Sequence, residues 1–157
     1  MEDKAKLKHF LEFLKDRVAF NFDIKNFDHR IKLQKYVYLA REFGWNHNYR
    51  YNIYVRGPYS RMLADDYYDL DDVNPKYFNM DYDSFTNMII NKDTSWLEVA
   101  ATMLSLYRSY SYHYSGIKLK TTILSRTKEL KNSIPEEVIC KVFDELTSEK
   151  LINFENA

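Results

Sequence analysis

Glycine and proline are scarce in this 157-residue chain, three of each, which leaves little room for long loops and favours compact helices. Cysteine occurs once, as Cys140, so no disulfide can close within the chain, a composition that suits a reducing compartment. Its place among the apolar positions of a helix marks it as buried and inert. No apolar run is long enough to span a bilayer, and no charged-then-apolar leader follows Met1. A soluble, cytoplasmic protein without a membrane partner is expected. The chain also lacks an HExxH pair, Cys/His metal spacing, a glycine-rich phosphate loop and a nucleophile elbow, and its four histidines, His9, His29, His47 and His113, are scattered. No catalytic residue, metal or cofactor is therefore assigned, and the chain reads as a non-enzyme.

Net charge is missing too, but the zero hides blocks. Residues 24–61 carry eight Lys/Arg against two Asp/Glu, and residues 62–83 carry seven acids against one lysine. Residues 108–131 carry six bases against one acid, and residues 132–157 two against six. Such blocks either neutralise one another across a fold or leave a basic surface for nucleic acid or an acidic partner.

What is present is hydrophobic periodicity. Residues 3–19 place Leu7, Phe10, Leu11, Leu14 and Val18 on one helical face. Asp28 is a plausible N-cap for a second helix with Leu33, Tyr36, Val37, Ala40 and Phe43 inside, Lys32, Lys35, Arg41 and Glu42 outside, and Gly44 as its stop. Residues 49–55 then alternate, which predicts a strand with Tyr49, Tyr51, Ile53 and Val55 in the core and Arg50, Asn52, Tyr54 and Arg56 in water. Gly57-Pro58 breaks the strand and opens a helix over residues 59–70 that buries Met62, Leu63, Tyr67 and Leu70. A short helix is expected over residues 81–90. A longer one capped by Thr94 or Ser95 carries the stripe Trp96, Val99, Ala100, Met103 and Tyr107.

A basic helix over residues 117–130 leads to Ser133-Ile134-Pro135-Glu136, which reads as a capping box. Val138, Ile139, Val142, Phe143 and Leu146 continue that helix, and residues 151–154 look strand-like. The predicted architecture is mostly α with a minor β component: a compact helical domain with a small strand component and a winged-helix-like C-terminal module. It is read as one domain over residues 1–157, with residues 1–92 and 93–157 as possible sub-modules.

The combination of Lys32-Leu33-Gln34-Lys35, Tyr36 and Tyr38, the aromatic run 51–54, and Gly57-Pro58-Tyr59-Ser60 resembles the YwgA-like proteins of bacteria and archaea. These are distantly similar to SocA-type, or Panacea, antitoxin domains. The resemblance covers about residues 30–70 and implies a small helical cytoplasmic domain that works by binding proteins, as a regulator, antitoxin or adaptor.

Several groups are candidate contacts. Arg30, Lys32 and Lys35 form one basic face, and Arg50, Tyr54, Arg56 and Arg61 another, with an aromatic between bases that suits stacking on nucleotides. The corner Gly57, Pro58 and Ser60 either turns the chain or offers helix-terminal amides to an anion, and an enzymatic site near it is the most distant alternative. Asp65, Asp66, Asp69, Asp71 and Asp72 oppose the dipole at the end of a helix, so basic partners are expected for them, with Lys32, Lys35, Arg50 or Arg56 foremost. A nucleic-acid-binding regulator is the main alternative to a protein-binding one. The presumptive recognition helix, residues 135–148, carries Glu136, Glu137, Asp144 and Glu145 against Lys141, so phosphate contacts fall to Arg108, Lys118, Lys120, Arg126 and Lys128. A protein partner leads, nucleic acid is the second option, and a homo-oligomer is a third.

Overall fold

The computed structural model describes residues 2–54 and 56–154. Among these the chain is mostly α, with seven helices and one two-stranded sheet. It divides into two compact units, the first Met1–Asn52 with Tyr59–Thr94 and the second Ile53–Pro58 with Ser95–Ala157.

In the first unit, α1 (Glu2–Val18) buries Leu7, Phe10, Phe13 and Leu14. Phe13 joins the expected stripe, while Leu11 and Val18 stay half-buried. Helix α2 (Phe27–Ala40) begins two residues earlier than the sequence suggests. Asn26, not Asp28, is its N-cap, accepting from the His29 amide at 3.1 Å. Asp28 instead lies in the first turn, 3.7 Å from Lys32 and accepting from the Thr94 hydroxyl at 2.5 Å. A short 3-10 turn, Arg41–Phe43, follows, and Gly44 at φ 109° stops it in the left-handed conformation that a side chain disfavours.

The period-two signal is real, but it starts earlier than the predicted strand. Trp45, His47 and Tyr49 are buried while Asn46, Asn48 and Arg50 are exposed. This stretch is extended without a strand partner, and side chains take its polar groups instead. Arg41 donates to the Tyr49 carbonyl, Asp3 accepts from the Asn48 amide at 2.9 Å, and His47 Nε2 donates to the Val37 carbonyl at 2.9 Å. The paired strands are short, β1 (Asn52–Tyr54) and β2 (Gly57–Tyr59). Ile53, expected in the core, is 45% exposed, and Val55 lies outside the described residues.

Helix α3 (Arg61–Tyr67) follows the corner and α4 (Tyr82–Ile89) is capped by Asp81. These helices are too short to bury much surface individually, and large rings fill the space between them. Phe10 meets Trp45 at 4.9 Å, Trp45 stacks on Phe78 at 4.6 Å, and Phe13 meets Tyr82 at 4.8 Å.

In the second unit, α5 (Thr94–Tyr110) buries Trp96, Val99, Ala100 and Met103 as expected and Glu98 and Thr102 besides. Helices α6 (Gly116–Leu130) and α7 (Glu136–Ser148) pack together, and Leu119 and Ile123 of one and Ile139, Val142, Phe143 and Leu146 of the other are buried. Pro135 is the N-cap of α7 and makes no side-chain cap bond, so Ser133 does not form the expected capping box. Residues 151–154 are bends and irregular chain rather than a strand. Ile152 is buried there, and Phe154 stacks on Phe143 at 5.5 Å. Cys140, expected to be buried, is exposed, because it lies one residue off the Ile139–Phe143 stripe.

Candidate functional site

The two halves of the Lys32–Ser60 signature meet through one side chain. Gln34 is fully buried on α2, and its amide reads the backbone of Ser60 in both senses. Gln34 Nε2 donates to the Ser60 carbonyl at 2.9 Å, and Gln34 Oε1 accepts from the Ser60 amide at 2.8 Å. Ser60 Oγ then caps α3, accepting from the Leu63 amide at 3.1 Å. Gly57 sits at φ 92°, a conformation that needs glycine. The corner residues Gly57, Pro58 and Ser60 are all buried. The Ser60 amide and the first-turn amide of Leu63 are both engaged internally, which removes two of the donors an anion would use there.

Gln34 and Tyr59 are also electrostatic neighbours of the Tyr67 phenol. Burial pushes the Tyr67 phenol well above its ordinary range, Gln34 opposes that, and Tyr59 adds to it. The signature thus anchors the start of α3, and its last residue, Tyr67, lines a cavity in the first unit.

That cavity is an open groove of about 740 Å³. Leu11, Phe22, Ile24, Tyr67 and Leu70 supply apolar surface, and Tyr68, 64% exposed, stands on its edge. Phe22 meets the Tyr67 ring edge-on at 5.5 Å. The charged lining is Lys8, Lys15, Lys25 and Arg30 against Glu12 and Asp71. Two of the bases are anchored: Lys8 donates to the Leu70 carbonyl at 2.8 Å and Arg30 to the Ile24 carbonyl at 2.6 Å. Lys15 and Lys25 are exposed, and their ammonium groups are available to a ligand. Helical spacing puts Lys8, Leu11, Glu12 and Lys15 on one outward stripe of α1.

The second cavity, about 380 Å³, is lined by His29, Lys32 and Tyr36 with Ala19 and Asn91. Ala19 and Asn91 follow the ends of α1 and α4 with φ of 57° and 61°. The ends of α1 and α4 border this space, where Lys32 offsets the negative ends of their dipoles. Burial, helped by Asp28, raises the Tyr36 phenol to about 12.

The residues expected to make contacts are dispersed. Lys35, expected outside, is 1% exposed and among the largest fully buried side chains, because α2 is covered on more than one face. Arg50 and Arg61 are exposed, as is Tyr54. Arg56 is committed to Glu98 at 3.3 Å within the second unit, and Lys131 approaches the same carboxylate at 3.5 Å. The acidic run of residues 65–72 finds different partners from those expected. Asp69 pairs with Lys4 of α1 at 2.8 Å, and Asp66 accepts from the Tyr49 hydroxyl at 2.6 Å. On α6, Arg126 pairs with Glu129 at 2.9 Å and Lys128 with Glu136 at 2.6 Å. Lys118 and Lys120 lie over the rings of Tyr114 and Phe143, and Arg108 is half-buried.

Sequence reasoning did not single out the groove. Its lining comes from α1, the irregular segment 21–25, the start of α2 and the end of α3, and no single window of sequence brings these together. Of that lining the sequence pattern marks Leu11, Tyr67 and Leu70 as core positions and Arg30 and Asp71 as charged candidates, without bringing them together. In comparisons with known proteins, no family model matches the chain, nor does any curated protein or solved structure. Among the described residues, no helix is long and apolar enough to cross a membrane.

Proposed function

We propose that this chain is a non-enzymatic, cytoplasmic regulatory or adaptor protein, akin to the YwgA-like proteins. Its partner in this reading is a segment of another protein held in the groove of the first unit. The observation that carries the reading is the groove itself, apolar with a tyrosine edge and four bases facing two acids. Tyrosine rings and arginine are the side chains that dominate protein interfaces. The volume falls within the roughly 300–1,000 Å³ of small-ligand sites. The polar groups, however, are long lysines spread along the rim rather than a convergent set, which suits two or three side chains of a partner segment better than one small molecule. The base excess and the available Lys15 and Lys25 select a segment that is acidic on one side and apolar on the other.

The test is a fluorescence titration with a panel of acidic amphipathic peptides, comparing the wild type with Lys15→Glu/Lys25→Glu. Binding that weakens by at least about tenfold in the double variant, a loss of about 1.4 kcal/mol, supports the reading. Equal binding by both proteins, or no binding by any peptide, refutes it. Both substitutions are on exposed residues, so folding is not at risk.

A further inference from the structure

The strongest feature outside the groove is a cationic and aromatic strip at the junction of α5 and α6. From Arg108 to Lys128 the chain has five Lys/Arg and no acid. Tyr112 is 88% exposed and Ile117 83%. Exposure on that scale leaves large rings and aliphatic groups unused by the fold. The neighbouring rings are ordered against one another. Tyr110 is an electrostatic neighbour of Arg126. Tyr110 stacks nearly parallel on Tyr114, 5.9 Å apart at 12°. Lys118 in turn sits 5.2 Å over the Tyr114 ring. The first acid beyond the strip, Glu129, is engaged by Arg126.

We propose that Tyr112 and Tyr114, with Lys118 and Lys120, form a binding surface for single-stranded nucleic acid. Exposed rings stack on bases without regard to sequence, and lysines beside them neutralise the backbone. Single strands are favoured over duplex by the chemistry of the unit. A duplex must be read by a helix that tolerates phosphates, and exposed Glu137 and Asp144 on α7 repel them. Splayed bases need only the rings and the two lysines. An anionic bilayer would also attract lysines and tyrosines, but Ile117 is the one exposed aliphatic side chain among residues 108–120, which is little apolar surface to insert. The strip shares no residue with the groove, and either proposal can fail alone.

The test is anisotropy of a labelled oligouridine of about twelve nucleotides and a matching oligothymidine, with the duplex form and anionic phosphatidylserine vesicles as competitors. The expected result is single-strand binding that weakens with salt. Tyr112→Ala should weaken it about tenfold. Lys118→Glu/Lys120→Glu should reduce the log–log salt slope by about 1.4, twice the roughly 0.7 per phosphate of a single strand. These side chains are exposed, and circular dichroism of each variant should match the wild type. No single-strand binding at low salt overturns the proposal, as does duplex preferred over single strand. Vesicles that bind while oligonucleotides do not would overturn it too, as would a Tyr112→Ala variant that binds unchanged.

Discussion

Replacing Gln34 by leucine should loosen the first unit and the groove together. The substitution keeps the buried volume and removes both bonds to Ser60. The Ser60 carbonyl retains a partner, since the Ala64 amide donates to it at 3.1 Å. The Ser60 amide does not, and an unpaired buried N–H costs about 1–3 kcal/mol. Adding about 1 kcal/mol for the second bond and allowing for the better transfer of leucine gives a loss of about 2–3 kcal/mol. Urea unfolding followed by circular dichroism measures it. Gln34→Glu should be worse at neutral pH, since its carboxylate accepts from the Ser60 amide but faces the Ser60 carbonyl with a like charge. Because Gln34 holds Ser60 at the start of α3, whose last residue Tyr67 lines the groove, peptide affinity should fall in Gln34→Leu even where the protein stays folded. A stability change below about 0.5 kcal/mol would refute the view that Gln34 holds the corner.

Two further predictions concern charge. Burial raises Tyr36 and Tyr82 to about 12 and drives Tyr49, Tyr51 and Tyr67 higher still. The folded state thus keeps these protons longer than the unfolded chain, so their stabilisation is complete below about pH 10 and is lost as pH climbs through the folded values. Tyr36 alone contributes on the order of 2–3 kcal/mol to that loss, and Tyr36→Phe should flatten the alkaline fall in urea midpoint by that share. Separately, Lys131 is held below its usual pKa, first by burial and then by Arg56, with Glu98 opposing. Glu98→Gln should destabilise by about 3 kcal/mol at neutral pH, the scale for breaking a buried pair. Stability should then recover as pH rises toward about 10, where the lysine sheds its proton before the unfolded chain does. A variant with no such recovery would mean that Lys131 is relieved by solvent.

The helices were legible because a buried stripe repeats every three to four residues whatever it packs against. The strand was legible only in part. Alternation at 45–50 reports which side is buried, and it cannot distinguish a ladder from an extended chain pinned by Arg41, Asp3 and His47. Lys35 was misplaced because a one-sided stripe was assumed for a helix covered on more than one face. The acids of residues 65–72 were matched to bases of the preceding basic block, whereas Lys4 of α1 reaches Asp69 across 65 residues of sequence. Gln34 stood in the signature, but its meaning required Ser60, 26 residues on, to be seen beside it. The groove was least legible of all, since it exists only where residues 8–30 meet residues 67–71.

The central claim is that the groove receives a protein segment. It is tested most directly by placing a photo-crosslinking phenylalanine analogue at Tyr68 and irradiating living cells. The same analogue at exposed Tyr77, which is outside the groove lining, serves as the reference. The account predicts a discrete adduct from the Tyr68 position, mapping to an acidic amphipathic segment and lost in the Lys15→Glu/Lys25→Glu background. Adducts that are equally diffuse from both positions, or that persist unchanged after the charge reversal, would contradict it.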